Sequence, residues 1–203
     1  RIEKIEAMPS LPVYADKVIY EMNDADGTLL DALAQTGTDS GQFVGTDSNI
    51  TANGLGSLVF TGNGTNDAFR THLLDVAYTS GLHRLEFAFD DWNLDASEDS
   101  SLLKYGLTDA TGANTVQFGI DVNTNNATVR FRAAANNGGD AGQDFYDHAG
   151  YVASTGVVLR IDVNLDAGTY GASWRYDDAT SFTDVVVAGS LGPLASAAQL
   201  RLL

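Results

Sequence analysis

From residue 18 onward, hydrophobic and polar positions alternate with a period of two, in runs of five to nine residues broken by clusters of Gly, Asn, Asp and Thr. That rhythm predicts β-strands with one buried and one wetted face. In residues 83–89, Leu85, Phe87 and Phe89 oppose Arg84, Glu86 and Ala88. In residues 116–122, Val116, Phe118, Ile120 and Val122 oppose Gln117, Gly119 and Asp121. A polar turn at Asn123, Thr124, Asn125 and Asn126 leads into Val129, Phe131 and Ala133, set against Thr128, Arg130 and Arg132, so these two runs read as a hairpin. A second hairpin joins residues 159–165, where Leu159, Ile161, Val163 and Leu165 oppose Arg160, Asp162 and Asn164, to residues 170–176. There Ala172, Trp174 and Tyr176 form the core face. Weaker alternation marks residues 18–22, 57–62, 68–74, 102–108, 185–188 and 199–203. Roughly ten to twelve strands are expected, enough for two stacked sheets and too many for one open twisted sheet. Strands wetted on one side favour antiparallel sheets, so the expected class is all-β, a two-sheet antiparallel β-sandwich of the jelly-roll kind.

Residues 1–17 mix charge with Pro9 and Pro12 and read as a leader or linker, with a short helical turn conceivable in residues 2–8. Residues 18–203 form the sandwich domain. A long segment at residues 136–150, rich in Gly and Asp, reads as a structureless loop, and loops of that length often carry function. The chain has 203 residues, 44% hydrophobic and 19% charged, so it can bury enough apolar surface to fold as one unit. A formal net charge of −16 argues against binding nucleic acid, which needs a basic surface to displace counterions, and against anionic membranes. No run of about 18 apolar residues exists to insert in a membrane. Without cysteine there is no disulfide framework, thiolate metal site or cysteine nucleophile. Abundant Asp, Asn, Gly and Thr with few Lys resemble secreted proteins of marine or salt-tolerant bacteria, so an extracellular location is expected. Other domains of a larger secreted protein are candidate partners.

The sign of the charge changes the picture locally. Eight of the eleven Lys and Arg residues (Arg70, Arg84, Lys104, Arg130, Arg132, Arg160, Arg175 and Arg201) fall in predicted strands, while most acids fall between them. Scarce positive charge on rigid backbone suggests a binding face for an anionic or hydroxyl-rich ligand. The same cations could equally pair with Glu86, Asp121 and Asp162 as a structural salt-bridge lattice.

Three stretches carry a resemblance to known families: residues 20–30, from Tyr20 through Asn23, Asp24, Asp26 and Gly27 to Leu30; residues 82–112 (LHRLEFAFDDWNLDASEDSSLLKYGLTDATG); and residues 159–174 (LRIDVNLDAGTYGASW). Together they resemble concanavalin A-like, laminin-G-like jelly-roll domains, and more specifically those of secreted bacterial polysaccharide-binding or polysaccharide-degrading proteins. The resemblance spans most of residues 18–203. It implies a carbohydrate-binding or cell-surface role, often with a structural calcium ion.

Calcium needs six to eight oxygen ligands, and two clusters offer them: Asn23, Asp24, Asp26 and Thr28, and Asp90, Asp91, Asn93, Asp95, Glu98 and Asp99. An EF-hand is excluded, because placing Gly27 at the loop glycine puts Met22 and Leu33 at the first and last ligand positions. Lyase chemistry would neutralise a uronate carboxylate with Arg or Gln and abstract a proton with His or Tyr. The run Arg70, Thr71, His72, Leu73, Leu74 resembles the arginine strand of jelly-roll alginate lyases, which carries Glu and a second Arg where His72 and Leu74 stand. Gln117 with Gly119 resembles their glutamine strand, but Ile120 and Asp121 follow where a His is expected. The terminal Tyr-Phe-Lys motif has no counterpart. Glycoside hydrolysis would use carboxylates alternating on one strand, and no Glu-x-Asp-x-Glu occurs.

For sugar binding, the expected set is Arg84, Arg130, Arg132, Arg160 and Gln117 for hydroxyls or acids, with Trp92 as a stacking platform and Tyr146 and Tyr151 behind it. The expected function is therefore a non-catalytic carbohydrate-binding module of a secreted protein, taking a marine or plant polysaccharide that the Arg-bearing strands would suit to be anionic. A polysaccharide lyase acting on a uronate polymer by β-elimination and a ligand-free structural or adhesive spacer are the alternatives.

Overall fold

Backbone alternation becomes pairing in a computed structural model that describes residues 20, 24–36, 38–39, 41–44, 50–55, 58–60, 70–89, 102–123, 128–136, 143–148 and 156–202. In chain order the strands are β1 (Gln42–Val44), β2 (Ile50–Ala52), β3 (Leu58–Phe60), β4 (Arg70–Tyr78), β5 (Leu82–Phe89), β6 (Leu102–Thr108), β7 (Thr115–Asn123), β8 (Thr128–Asn136), β9 (Gln143–His148), β10 (Val157–Asn164), β11 (Thr169–Tyr176), β12 (Thr183–Ser190) and β13 (Ala197–Leu202), with a 3-10 turn at Leu30–Ala32. One sheet has seven strands in the order β1-β4-β13-β6-β7-β8-β9, and a second has four in the order β12-β11-β10-β5. A small pair, β2-β3, stands apart from both. Every strand pairing is antiparallel. The protein is a two-sheet antiparallel β-sandwich.

Its core lies where the inward rows of both sheets meet. Tyr105, Leu107, Val116, Phe118, Ile120, Phe131 and Ala133 come from β6, β7 and β8, and Leu159, Ile161, Val163, Ala172 and Trp174 from β10 and β11. Phe131 and Trp174 stack across the gap with ring centroids 4.4 Å apart. At the β5 side, the Tyr105 hydroxyl donates to the Leu85 carbonyl at 3.4 Å, and burial raises its pKa well above the ordinary tyrosine value. A satellite cluster of Leu33, Ile50 and Ala52, flanked by Tyr20 and Phe43, packs beside the main core. Phe43 touches both clusters.

Both predicted hairpins form. β7 and β8 pair in unbroken register from Thr115 with Asn136 to Asn123 with Thr128, and β10 and β11 from Val157 with Tyr176 to Asn164 with Thr169. The Trp174 face of β11 is the buried one, as its hydrophobicity implies. The expected structureless loop at residues 136–150 is corrected: it contains β9, which pairs with β8. The short strands β1 and β2 had no alternation long enough to announce them. The expected leader at residues 1–17 and most of the expected strand at 18–22 lie outside the described residues.

Candidate functional site

Strand order decides which predicted ligand residues can act together, and it separates them. Arg84 and Arg160 sit on β5 and β10, on the outer face of the four-stranded sheet, whereas Gln117, Arg130 and Arg132 sit on β7 and β8, on the outer face of the seven-stranded sheet. The two faces are on opposite sides of the sandwich. The five therefore do not share one surface, a point the sequence leaves open because a two-residue period reports which way a side chain points but not which sheet carries it.

On the four-stranded face the salt-bridge lattice is realised at Asp162, whose carboxylate is shared by Arg84 and Arg160. Arg84 Nε lies 2.6 Å from Asp162 Oδ1, and its Nη2 lies 3.1 Å from Oδ2. Arg160 Nε approaches the other side of the same carboxylate at 3.3 Å. The Arg160 guanidinium also lies over the Phe182 ring, 3.8 Å from its centroid, with Arg175 5.2 Å away from that centroid. Arg175 Nη1 donates to the carbonyls of Tyr176, Asp177 and Ala179, so this cation staples the turn between β11 and β12.

The seven-stranded face is built differently. Cross-strand register sets Lys104, Gly119 and Arg132 in one row, with Gly106, Gln117 and Ala134 in the next. Neighbouring strands are about 4.8 Å apart, so Lys104 and Arg132 flank Gly119 with their Cα atoms about 10 Å apart. Gly119 and Gly106 are buried, and Lys104, Gln117, Arg130 and Arg132 are half-buried. The Nε atoms of Arg130 and Arg132 are shielded from solvent. Backbone register places Arg130 between Asp121 and Asp147, and Arg132 between Gly119 and Phe145. The glycine between the two cations contributes no side chain of its own and is buried beneath its neighbours. Lys104 and Gly119 join the predicted set here. Lys104 was visible in sequence as a strand cation, but its partnership with Arg132 follows only from the order β6-β7-β8.

Trp92, the expected stacking platform, lies outside the described residues, as do Tyr151 and the calcium candidates Asn23, Asp90, Asp91 and Asp95. Asp24 and Asp26 are described. Asp24 Oδ1 accepts the Ala34 amide at 2.9 Å, tying the turn around Gly27 to the end of the 3-10 segment, and Asp26 is exposed. Among the described residues no group of three or more His, Asp or Glu side chains is placed to hold a metal ion.

His72, from the segment resembling a lyase arginine strand, is 0% exposed, with its ring edge-on to Tyr20 and Phe43 at 5.7 and 5.3 Å. Neither ring nitrogen has a hydrogen-bond partner. Burial lowers its pKa, outweighing the nearby Asp39 charge, which raises it. Asp39 is itself 3% exposed and accepts the Gly41 amide at 2.8 Å, the Asp75 amide at 3.3 Å and the Tyr78 hydroxyl at 3.5 Å. Burial pushes the Tyr20 hydroxyl up to about 12. This cluster anchors the chain before β1 to β4; it is walled in, and His72 has no route to a ligand on the outer face.

No protein-family model matches the chain, and no curated protein does. Function therefore rests on the two outer faces.

Proposed function

We propose that this chain is a non-catalytic carbohydrate-binding module of a secreted protein, of the concanavalin A-like kind, that holds an anionic polysaccharide on the outer face of its seven-stranded sheet. The observation that carries this reading is the row Lys104, Gly119, Arg132. In a protein of net charge −16, two cations are held on β6 and β8 of a rigid sheet, on either side of Gly119 of β7. An ammonium and a planar guanidinium there suit the carboxylates or sulfates of an acidic glycan, and the Gln117 amide in the next row suits its hydroxyls. Sheet-borne side chains are positioned before the ligand arrives, so little ordering entropy is lost on binding. The non-catalytic part of the reading is supported by the burial of His72, which removes from that face the one histidine of the lyase-like segment.

The test is affinity electrophoresis through gels containing alginate, polygalacturonate, carrageenan or xylan, with and without chelator. Retardation is expected to be stronger in the three anionic gels than in xylan, and in the anionic gels to weaken as salt is added because the contacts are ionic. Release of unsaturated uronate from alginate or polygalacturonate would replace binding with lyase activity. Free migration in every gel would leave a structural spacer.

A further inference from the structure

The opposite side of the sandwich carries a second depression, and the geometry points to a site for one neutral sugar ring on the outer face of the four-stranded sheet. This rests on observations separate from the cation row. A hollow of about 240 Å³ opens between β10 and β12, over β11. Its cause is legible in the register. Arg160, Ser173 and Asp184 share one cross-strand row, and Asp162 faces Gly171 in the next. β11 thus places a hydroxymethyl and then no side chain at all between longer neighbours on either side. The pairing of β11 with β12 is also irregular between Tyr170 and Ser173, and such irregularities re-aim side chains beside binding sites.

The lining is polar and balanced in charge. Arg84 neutralises Asp162 from outside the hollow, and Arg160 and Asp184 offset one another across it. Among the described residues, the terminal nitrogens of Arg160 and the carboxylate of Asp184 take no hydrogen bond; Arg160 approaches Asp162 through Nε at 3.3 Å. Stacking on Phe182 covers a face of the guanidinium and leaves its N–H edge for a ligand. Asn164 Oδ1 is committed to the Ala167 amide at 2.9 Å, which orients its amide group at the rim. A carboxylate that accepts two vicinal O–H groups, opposite a guanidinium that donates to hydroxyl or ring oxygen, is the donor and acceptor set of a polyol. An acidic sugar would bring its charge against Asp162 and Asp184 in the same small space. Val187, 80% exposed, and Leu82, 47% exposed, supply apolar surface for the C–H face of a ring. The volume lies below the roughly 300–1,000 Å³ of pockets for larger ligands, which limits the occupant to about one ring.

The experiment is an NMR titration of the 15N-labelled protein with the methyl glycosides of glucose, galactose, mannose and xylose, and with glucuronate. Saturable shifts of the Asn164, Gly171, Ser173 and Val187 amides with at least one neutral glycoside, and none there with glucuronate, are expected. Gly171→Val fills the hollow. A Cβ there meets only the Val186 and Val187 carbonyls at 3.4 and 3.5 Å, ordinary contact distances, so the sheet is left intact. It should weaken binding at least tenfold with an otherwise unchanged spectrum, and Asp184→Asn should weaken it without filling space. The double variant Lys104→Gln/Arg132→Gln should bind the neutral sugar as the parent does. Silence of these amides with all four neutral glycosides, or a stronger response to glucuronate, would overturn the inference. So would full binding in Gly171→Val.

Discussion

Trp174 lies nearly parallel to Phe131, at an interplanar angle of 21°, and is 5% exposed, so this aromatic pair is one of the contacts that join the two sheets. Truncating a buried aromatic removes its transfer free energy and leaves a void that neighbours on rigid strands fill poorly. Trp174→Ala should lower stability by about 3–5 kcal/mol, read from the urea midpoint. His72 makes a different kind of contribution. Its folded pKa is below the ordinary 6.5, so unfolding takes up a proton once the pH falls under that value. Stability should therefore be full above about pH 6.5 and decline from there toward the folded pKa, levelling off below it. His72→Leu removes a buried ring whose nitrogens have no partner, so it should be neutral or stabilising at pH 7 and should flatten this slope. Equilibrium unfolding at pH 7.5 and pH 5.5 checks both statements; an unchanged slope in the variant would assign the acid sensitivity elsewhere.

At the level of elements, turns are specified by local chemistry and strands by alternation. Between β6 and β7, Asp109 Oδ1 accepts the Thr111 amide at 3.0 Å and its hydroxyl at 2.8 Å, and Oδ2 accepts the Asn114 amide group at 2.6 Å. Slight burial would raise the Asp109 pKa, but these hydrogen bonds outweigh it and the net shift is downward. A depressed folded pKa stabilises above the unfolded value of 3.8 and is lost as pH falls through the folded one. Asp109→Ala should cost about 1 kcal/mol near neutrality, and the difference from the parent should shrink below about pH 4. Thermal melts at pH 7 and pH 3 measure it. Gly189 is a second local requirement. The buried Tyr170 ring occupies the space a Cβ would need, so Gly189→Ala should destabilise by about 1–3 kcal/mol through overpacking. The strands most legible in the sequence were those wetted on one face over seven or more residues, such as β5, β7 and β10. β9 was hidden because Phe145 and Tyr146 are adjacent and break the two-residue period. β1 and β2, three residues each, are too short for any period to show.

Across the whole molecule, all eight of the named cations do lie on strands, but their distribution between two sheets could not be read from the chain. Orientation is local and encoded by alternation, whereas neighbourhood depends on which strands pair, and residues far apart in sequence make that choice. Arg84 and Arg160 thus belong with Asp162, and Arg130 and Arg132 with Lys104, Gln117 and Gly119. The glycine at the centre of the cation row had no meaning until β6 and β8 were placed on either side of β7. The most direct test of the account is a calorimetric titration of polyuronate oligosaccharides into three proteins: the parent, Lys104→Gln/Arg132→Gln, and Arg84→Gln. The account predicts saturable binding by the parent, an affinity at least tenfold lower, about 1.4 kcal/mol, in the double variant, and parent-like binding in Arg84→Gln. No binding by the parent, or an equal loss in Arg84→Gln, would contradict it.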